Sequence, residues 1–80
     1  MKILDLTPHL KAILDRHDLR KAFEKQKSLF ENNWRHPSLH TEILEPRHLK
    51  IYSFRITQKW RALFFVKNGV VEVFDITDYH

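Results

Sequence analysis

The stretch Lys50-Ile-Tyr-Ser-Phe-Arg-Ile-Thr-Gln-Lys-Trp-Arg-Ala-Leu-Phe-Phe-Val-Lys-Asn-Gly-Val-Val-Glu-Val-Phe-Asp-Ile76 decides the fold. Three runs rich in Val, Ile, Phe and Tyr are separated by two short polar breaks, Thr57-Gln58-Lys59 and Lys67-Asn68-Gly69. This is the pattern of a three-stranded antiparallel meander. Asn68-Gly69 is the stronger turn signal, because a two-residue type I′ hairpin loop needs positive φ at both central positions and these residues adopt it at little cost. Alternation puts Tyr52, Phe54 and Ile56 on one face, expected toward the core, and Ser53, Arg55 and Thr57 on the other, expected outward. In the next run Trp60, Ala62, Phe64 and Val66 alternate with Arg61, Leu63, Phe65 and Lys67. Both sets hold apolar residues, as in a central strand covered on both faces. A turn over Thr57 to Lys59 brings Arg61 beside Arg55, two guanidinium groups on the outward face of one sheet.

The upstream half reads as packing for this sheet. Ile3, Leu4 and Leu6 suffice for a short first strand over Met1 to Leu6. Thr7-Pro8 is a helix start, with Thr7 as N-cap and Pro8 at the first helical position, where its missing N–H costs nothing. Leu10, Ile13 and Leu14 form an apolar stripe, and the helix breaks near Arg16-His17-Asp18. Asp18 is expected to cap a second helix, in which Leu19, Ala22, Phe23, Gln26, Leu29 and Phe30 follow the i, i+3, i+4 rhythm. Arg20, Lys21, Lys25 and Lys27 fall on its solvated face. Asn32-Asn33 ends the helix, and Trp34 is expected to tuck back onto the core. His36 to Leu44 reads as a turn leading into a short strand, and Glu45 to Leu49 as a loop. The whole is an α+β domain: an N-terminal strand and a helical hairpin packed on a mostly antiparallel sheet.

Composition narrows the function. Eighty residues make one small domain spanning 1–80, and a chain this short buries a modest fraction of its surface. With 42% hydrophobic and 30% charged residues it is globular in composition. Cysteine is absent, which removes disulfides and thiolate chemistry and fits a reducing, cytoplasmic setting. The N-terminus lacks the apolar core of a signal peptide, and no apolar run approaches a membrane span. Fourteen Lys and Arg against ten Asp and Glu give a net charge of +4, which favours polyanionic or acidic partners. His36 and His40 are spaced as zinc ligands would be on a helix, but Pro37 opposes a helix there and no third ligand follows at a suitable spacing, so neither metal nor cofactor is expected.

The motifs His36-Pro37-Ser38-Leu39, Ser53-Phe54-Arg55-Ile56-Thr57 and Trp60-Arg61-Ala62-Leu63-Phe64-Phe65, in the order strand, helical hairpin, meander, resemble the RelE/ParE superfamily of toxins from type II toxin-antitoxin systems. The resemblance implies one of two activities. RelE-like members are ribosome-dependent endoribonucleases, or mRNA interferases, that cut through attack of a ribose 2′-OH on the adjacent phosphodiester. ParE-like members share the fold but poison DNA gyrase and cut no RNA. An inactive toxin that only binds its antitoxin is a further alternative.

On the nuclease reading, the resemblance assigns Arg61 to stabilising the phosphorane, Arg55 to holding RNA or helping to activate the 2′-OH, and His80 to protonating the departing oxygen. Lys50, Ser53, Lys59, Trp60 and Tyr79 are the implied RNA contacts. Ser38 stands where some members carry a glutamate, so no carboxylate base is evident. The non-catalytic alternative has Arg61 paired with Asp75 or Asp78 and Trp60 in the core. The implied partners are an acidic antitoxin, and the ribosome with its mRNA or else gyrase.

Overall fold

The computed structural model describes residues 1–78. Strand β1 (Lys2–Ile3) leads to helices α1 (Pro8–Arg16) and α2 (Arg20–Asn32), a 3-10 turn at Pro37–Leu39, and strand β2 (Glu42–Ile43). A second 3-10 turn at Arg47–Leu49 precedes β3 (Tyr52–Arg55), β4 (Arg61–Lys67) and β5 (Val70–Thr77). The sheet order is β1-β5-β4-β3-β2. β1 lies parallel to β5, and every other pairing is antiparallel. The expected meander is therefore the centre of the sheet. Asn68 and Gly69 take φ of 54° and 79° at its tight hairpin, as a type I′ loop requires.

Both helices lie on one face of this sheet. Leu10 and Leu14 of α1 and Phe23 and Phe30 of α2 pack against Phe54, Ala62, Phe64, Val71, Val73 and Ile76, all buried. The Phe30 ring centroid is 5.3 Å from both Phe54 and Phe64, edge-on to the latter. Such pairs add about 0.5–1.5 kcal/mol each to the burial of their area. Thr7 caps α1 as expected, its hydroxyl accepting from the Leu10 N–H at 3.3 Å.

Three local expectations give way to packing. Asp18 does not cap α2; it adopts a left-handed φ of 54°, a conformation Asp tolerates. Leu19 takes the N-cap position without a side-chain bond, because there its side chain reaches the core and is 4% exposed. Trp34 stays 39% exposed at the rim of the core. β4 is covered by helices on one face only, since the described residues form two layers. On the other face Leu63 and Phe65 are half-buried and Phe74 is exposed, with the Phe65 and Phe74 rings 5.8 Å apart.

Phe54→Ala is expected to cost about 3–5 kcal/mol, a large share of the roughly 5–10 kcal/mol available to a domain of this size. Thr7→Ala should cost about 1 kcal/mol. Urea denaturation followed by circular dichroism should thus find the midpoint of Phe54→Ala lowered by about half or more and that of Thr7→Ala lowered only slightly.

Candidate functional site

The antiparallel register of β3 and β4 sets Arg55 directly opposite Arg61 and Ser53 opposite Leu63. Arg55, Arg61 and Ser53 therefore share the sheet face that the helices leave uncovered. β5 extends the same row by placing Thr77 opposite Arg61, and β2 places Glu42 opposite Ser53.

Arg61 is held in place by neutral acceptors. Its Nε–H donates to the Ser53 hydroxyl at 2.9 Å, and Nη2 donates to the carbonyls of Ser53, at 3.4 Å, and of His40. Among the described residues no carboxylate lies within 4 Å of Arg61 or Arg55. The pairing of Arg61 with Asp75 or Asp78 is not made, and the Asp75 carboxylate instead accepts from the Ile76 N–H at 2.9 Å. Arg55 is half-buried, and its buried Nε–H has no hydrogen-bond partner among the described residues. Like charges placed directly opposite in an antiparallel pair are destabilising, and an orphaned buried donor adds to that cost. An anion bridging the two guanidinium groups would relieve both.

Ser53 is fully buried, because its hydroxyl lies beneath the Arg61 side chain; it meets Arg61 rather than solvent. Lys59 stands exposed in the Thr57–Trp60 turn that joins the two arginine-bearing strands, where the Thr57 hydroxyl accepts from the N–H groups of Lys59 at 3.2 Å and Trp60 at 3.1 Å. Trp60 is half-buried against the core with its ring 4.4 Å from that of His17, on the α1 side. Lys50 is exposed, with a left-handed φ of 55°, at the opposite end of β3 from Arg55. The fold thus brings Arg55, Arg61 and Ser53 together, with Lys59 at the adjoining turn, and sets Trp60 and Lys50 apart from them. Tyr79 and His80 lie outside the described residues.

Two supporting groups escape the sequence reading. Gln26 sits on the apolar stripe of α2 yet is only 7% exposed. Its amide Nε2 donates to the carbonyls of Arg55 at 2.8 Å and Ser38 at 3.3 Å, tying helix, turn and strand at one point. A polar residue within an apolar stripe is the signal that marks it. The His40 carbonyl is the other, presented to Arg61 because His40 ends the Pro37–Leu39 turn with a left-handed φ of 44°. Within the turn, the His36 ring Nδ1 accepts from the Ser38 N–H at 3.2 Å. Among the described residues no three His, Cys, Asp or Glu side chains converge as a metal site would require.

No family profile matches the sequence, and no curated protein does. Solved structures do match over the full chain. A YoeB/ParE toxin from Agrobacterium tumefaciens superposes with a TM-score of 0.64 at 24% identity, covering all of both chains. A chain of the YoeB-YefM complex from Staphylococcus aureus gives 0.62 at 20% identity, covering all of this chain and 97% of that one. The heterotetrameric YoeB-YefM toxin-antitoxin complex from the same organism gives the same values. The chain has the YoeB/ParE toxin fold, an α+β architecture of two helices on a five-stranded mixed sheet.

Replacing Gln26 tests the clamp beneath the arginines. Gln26→Leu leaves two carbonyls without their donor and should cost about 1–3 kcal/mol. Gln26→Glu should be worse at neutral pH, because it aims a carboxylate at two carbonyl oxygens, which raises its folded-state pKa above the unfolded value. Its stability is then highest below the unfolded pKa and is lost as pH rises through the folded one. Urea midpoints taken across the acidic to neutral range should show Gln26→Glu approaching Gln26→Leu at low pH and falling behind it near neutrality.

Proposed function

We propose that the chain is the toxin of a type II toxin-antitoxin system and acts as a ribosome-dependent endoribonuclease on mRNA. The observation that carries this reading is the Arg55–Arg61 pair: two arginines directly opposite each other on an uncovered sheet face, one anchored by neutral acceptors, with no carboxylate among the described residues to neutralise either. A gyrase poison has no need of such a phosphate-ready pair. In the proposed reaction a ribose 2′-OH attacks the adjacent phosphorus. The O2′–P bond forms as the P–O5′ bond breaks, leaving a 2′,3′-cyclic phosphate and a 5′-hydroxyl.

Arg61 stabilises the charge that builds on the phosphorane oxygens, and its fixed fork suits that task. Arg55 holds the phosphate from the neighbouring strand and favours ionisation of the 2′-OH, whose proton passes to solvent water. Ser53 acts on the RNA through Arg61, whose Nε–H it accepts. His80, three residues after the Thr77 that faces Arg61, supplies the proton for the departing oxygen. Lys59, at the turn beside the arginines, and Tyr79 are the further RNA contacts, whereas Trp60 and Lys50 stand apart from the pair. The net charge of +4 suits an acidic antitoxin, and two of the structurally similar proteins are YoeB-YefM complexes.

Primer extension on mRNA from a translation reaction, with and without ribosomes, tests this. Wild type should generate new 5′ ends within codons only when ribosomes are present. Arg61→Ala should lower the cleavage rate by about 100-fold or more, and Arg61→Lys should recover little of it, because an ammonium cannot reproduce the planar fork. Intact mRNA from folded wild type, together with inhibited DNA supercoiling, would instead establish gyrase poisoning.

A further inference from the structure

The uncovered face of the sheet does not end at the arginine pair. On β4, Arg61, Leu63 and Phe65 alternate with the buried Ala62 and Phe64, which sets Phe65 roughly 13 Å along the same face from Arg61. On β5 the ladder slips at this point: Leu63 lies opposite Asp75 but Phe64 lies opposite Val73, so Phe74 is an extra residue without a partner. Such a bulge re-aims side chains. Val73 and Ile76 are buried in the core, while Phe74 and Asp75 between them are exposed. Phe74 is 41% exposed, and its ring lies 5.8 Å from that of Phe65, tilted by 31°. Two aromatic rings are thereby set side by side on an open face, in line with the arginines.

Glu72 stands directly opposite Phe65, where cross-strand side chains approach to about 4.5–5.5 Å between Cβ atoms. It is exposed, and among the described residues no cation lies within 4 Å of its carboxylate. The Asp75 carboxylate is partly committed, since it accepts from the Ile76 N–H at 2.9 Å. The face thus carries a cationic pair, then an aromatic pair, with a carboxylate beside the rings. These carboxylates oppose a second phosphate next to the rings. A flat, uncharged group with hydrogen-bond donors on its edge suits the place, and in a strand whose phosphate sits on the arginines that group is a nucleobase.

We propose that Phe65, Phe74 and Glu72 form a base-recognition subsite that selects guanine in the RNA strand whose phosphate the arginines hold. The base stacks on the Phe65 and Phe74 rings, a contact open to every base. Selection comes from Glu72. Guanine presents two adjacent donors on one edge, N1–H and the N2 amino group, and these match the two oxygens of a carboxylate as a bidentate pair. Adenine and cytosine offer one amino group beside a ring nitrogen whose lone pair repels the second carboxylate oxygen. Uracil offers one N–H between two carbonyls. The distance along β4 places this base on a nucleotide flanking the scissile bond. The proposal rests on the nuclease reading in taking RNA as the ligand and the arginines as its phosphate anchor; stacking and edge selection belong to the three side chains.

Fluorescence anisotropy with the purified full chain and labelled 2′-O-methyl hexanucleotides, which lack the attacking hydroxyl, reads this directly. One probe is all uridine, and the others carry a single guanosine, adenosine or cytidine at an interior position. The guanosine probe should bind about tenfold more tightly than the rest. Phe65→Ala should weaken its binding about tenfold, and Phe74→Ala, at an exposed residue, reads the same platform if Phe65→Ala does not fold. Glu72→Gln should move the preference from guanosine to adenosine, because a carboxamide pairs bidentately with adenine; a Glu72 that served only the fold would leave the preference in place. Arg61→Ala should weaken all probes alike and keep their ranking. No binding, affinity that ignores the base, a guanosine preference that survives Glu72→Gln, unchanged binding in both phenylalanine variants, or a wild-type dimer that Phe74→Ala dissociates would each overturn the proposal. The nuclease reading fails separately: a chain that selects guanosine through these residues but cuts no mRNA upholds the subsite. One that cuts mRNA yet ignores guanosine keeps the nuclease reading without it.

Discussion

Arg61 reaches from β4 to the buried Ser53 hydroxyl on β3 and to the His40 carbonyl, and the geometry of the candidate site follows from those bonds. They join β4 to β3 and to the end of the Pro37–Leu39 turn. They also orient the guanidinium without neutralising it, because a hydroxyl and a carbonyl carry dipoles rather than charge. A carboxylate in their place would fix the side chain equally well and weaken its pull on a phosphate. With Arg55 directly opposite, the result is a local excess of positive charge held in a rigid frame, the form of preorganisation that favours a developing anionic transition state.

Stability and chemistry are divided between the two sides of the sheet. The helix-covered side holds the Phe23, Phe30, Phe54 and Phe64 cluster and the aliphatic residues around it. The uncovered side carries the arginines and an apolar strip at Leu63, Phe65 and Phe74. Gln26 links the two, since it descends from α2 through the core to the Arg55 and Ser38 carbonyls. A small domain with two helices can cover only one sheet face, and the other is thereby available to a ligand.

Much of the frame was legible in the sequence because local chemistry decided it. Asn68-Gly69 specified the hairpin, Thr7-Pro8 the start of α1, and the two breaks around β4 the register that sets Arg55 against Arg61. Strict alternation put Ser53 on the correct face but not its burial there, because the Arg61 side chain covers it; pleat direction does not report what lies above a residue. Asp18 failed as a cap for a similar reason: burial of Leu19 outweighed a surface hydrogen bond. The roles of Gln26 and the His40 carbonyl depend on contacts across 29 and 21 residues of chain, and no local pattern encodes such contacts. Trp34 was expected to tuck back onto the core, yet it stays 39% exposed at its rim.

The most direct measurement is an NMR titration of the arginine Nε–Hε signals with a dinucleotide bearing an internal phosphodiester. The Arg61 proton, held by Ser53, should be protected from solvent exchange in the free protein, and the Arg61 and Arg55 signals should shift together and saturably as the dinucleotide is added. Signals that stay fixed while other arginines respond, or an Arg61 proton that exchanges freely, would contradict a preorganised phosphate-binding pair.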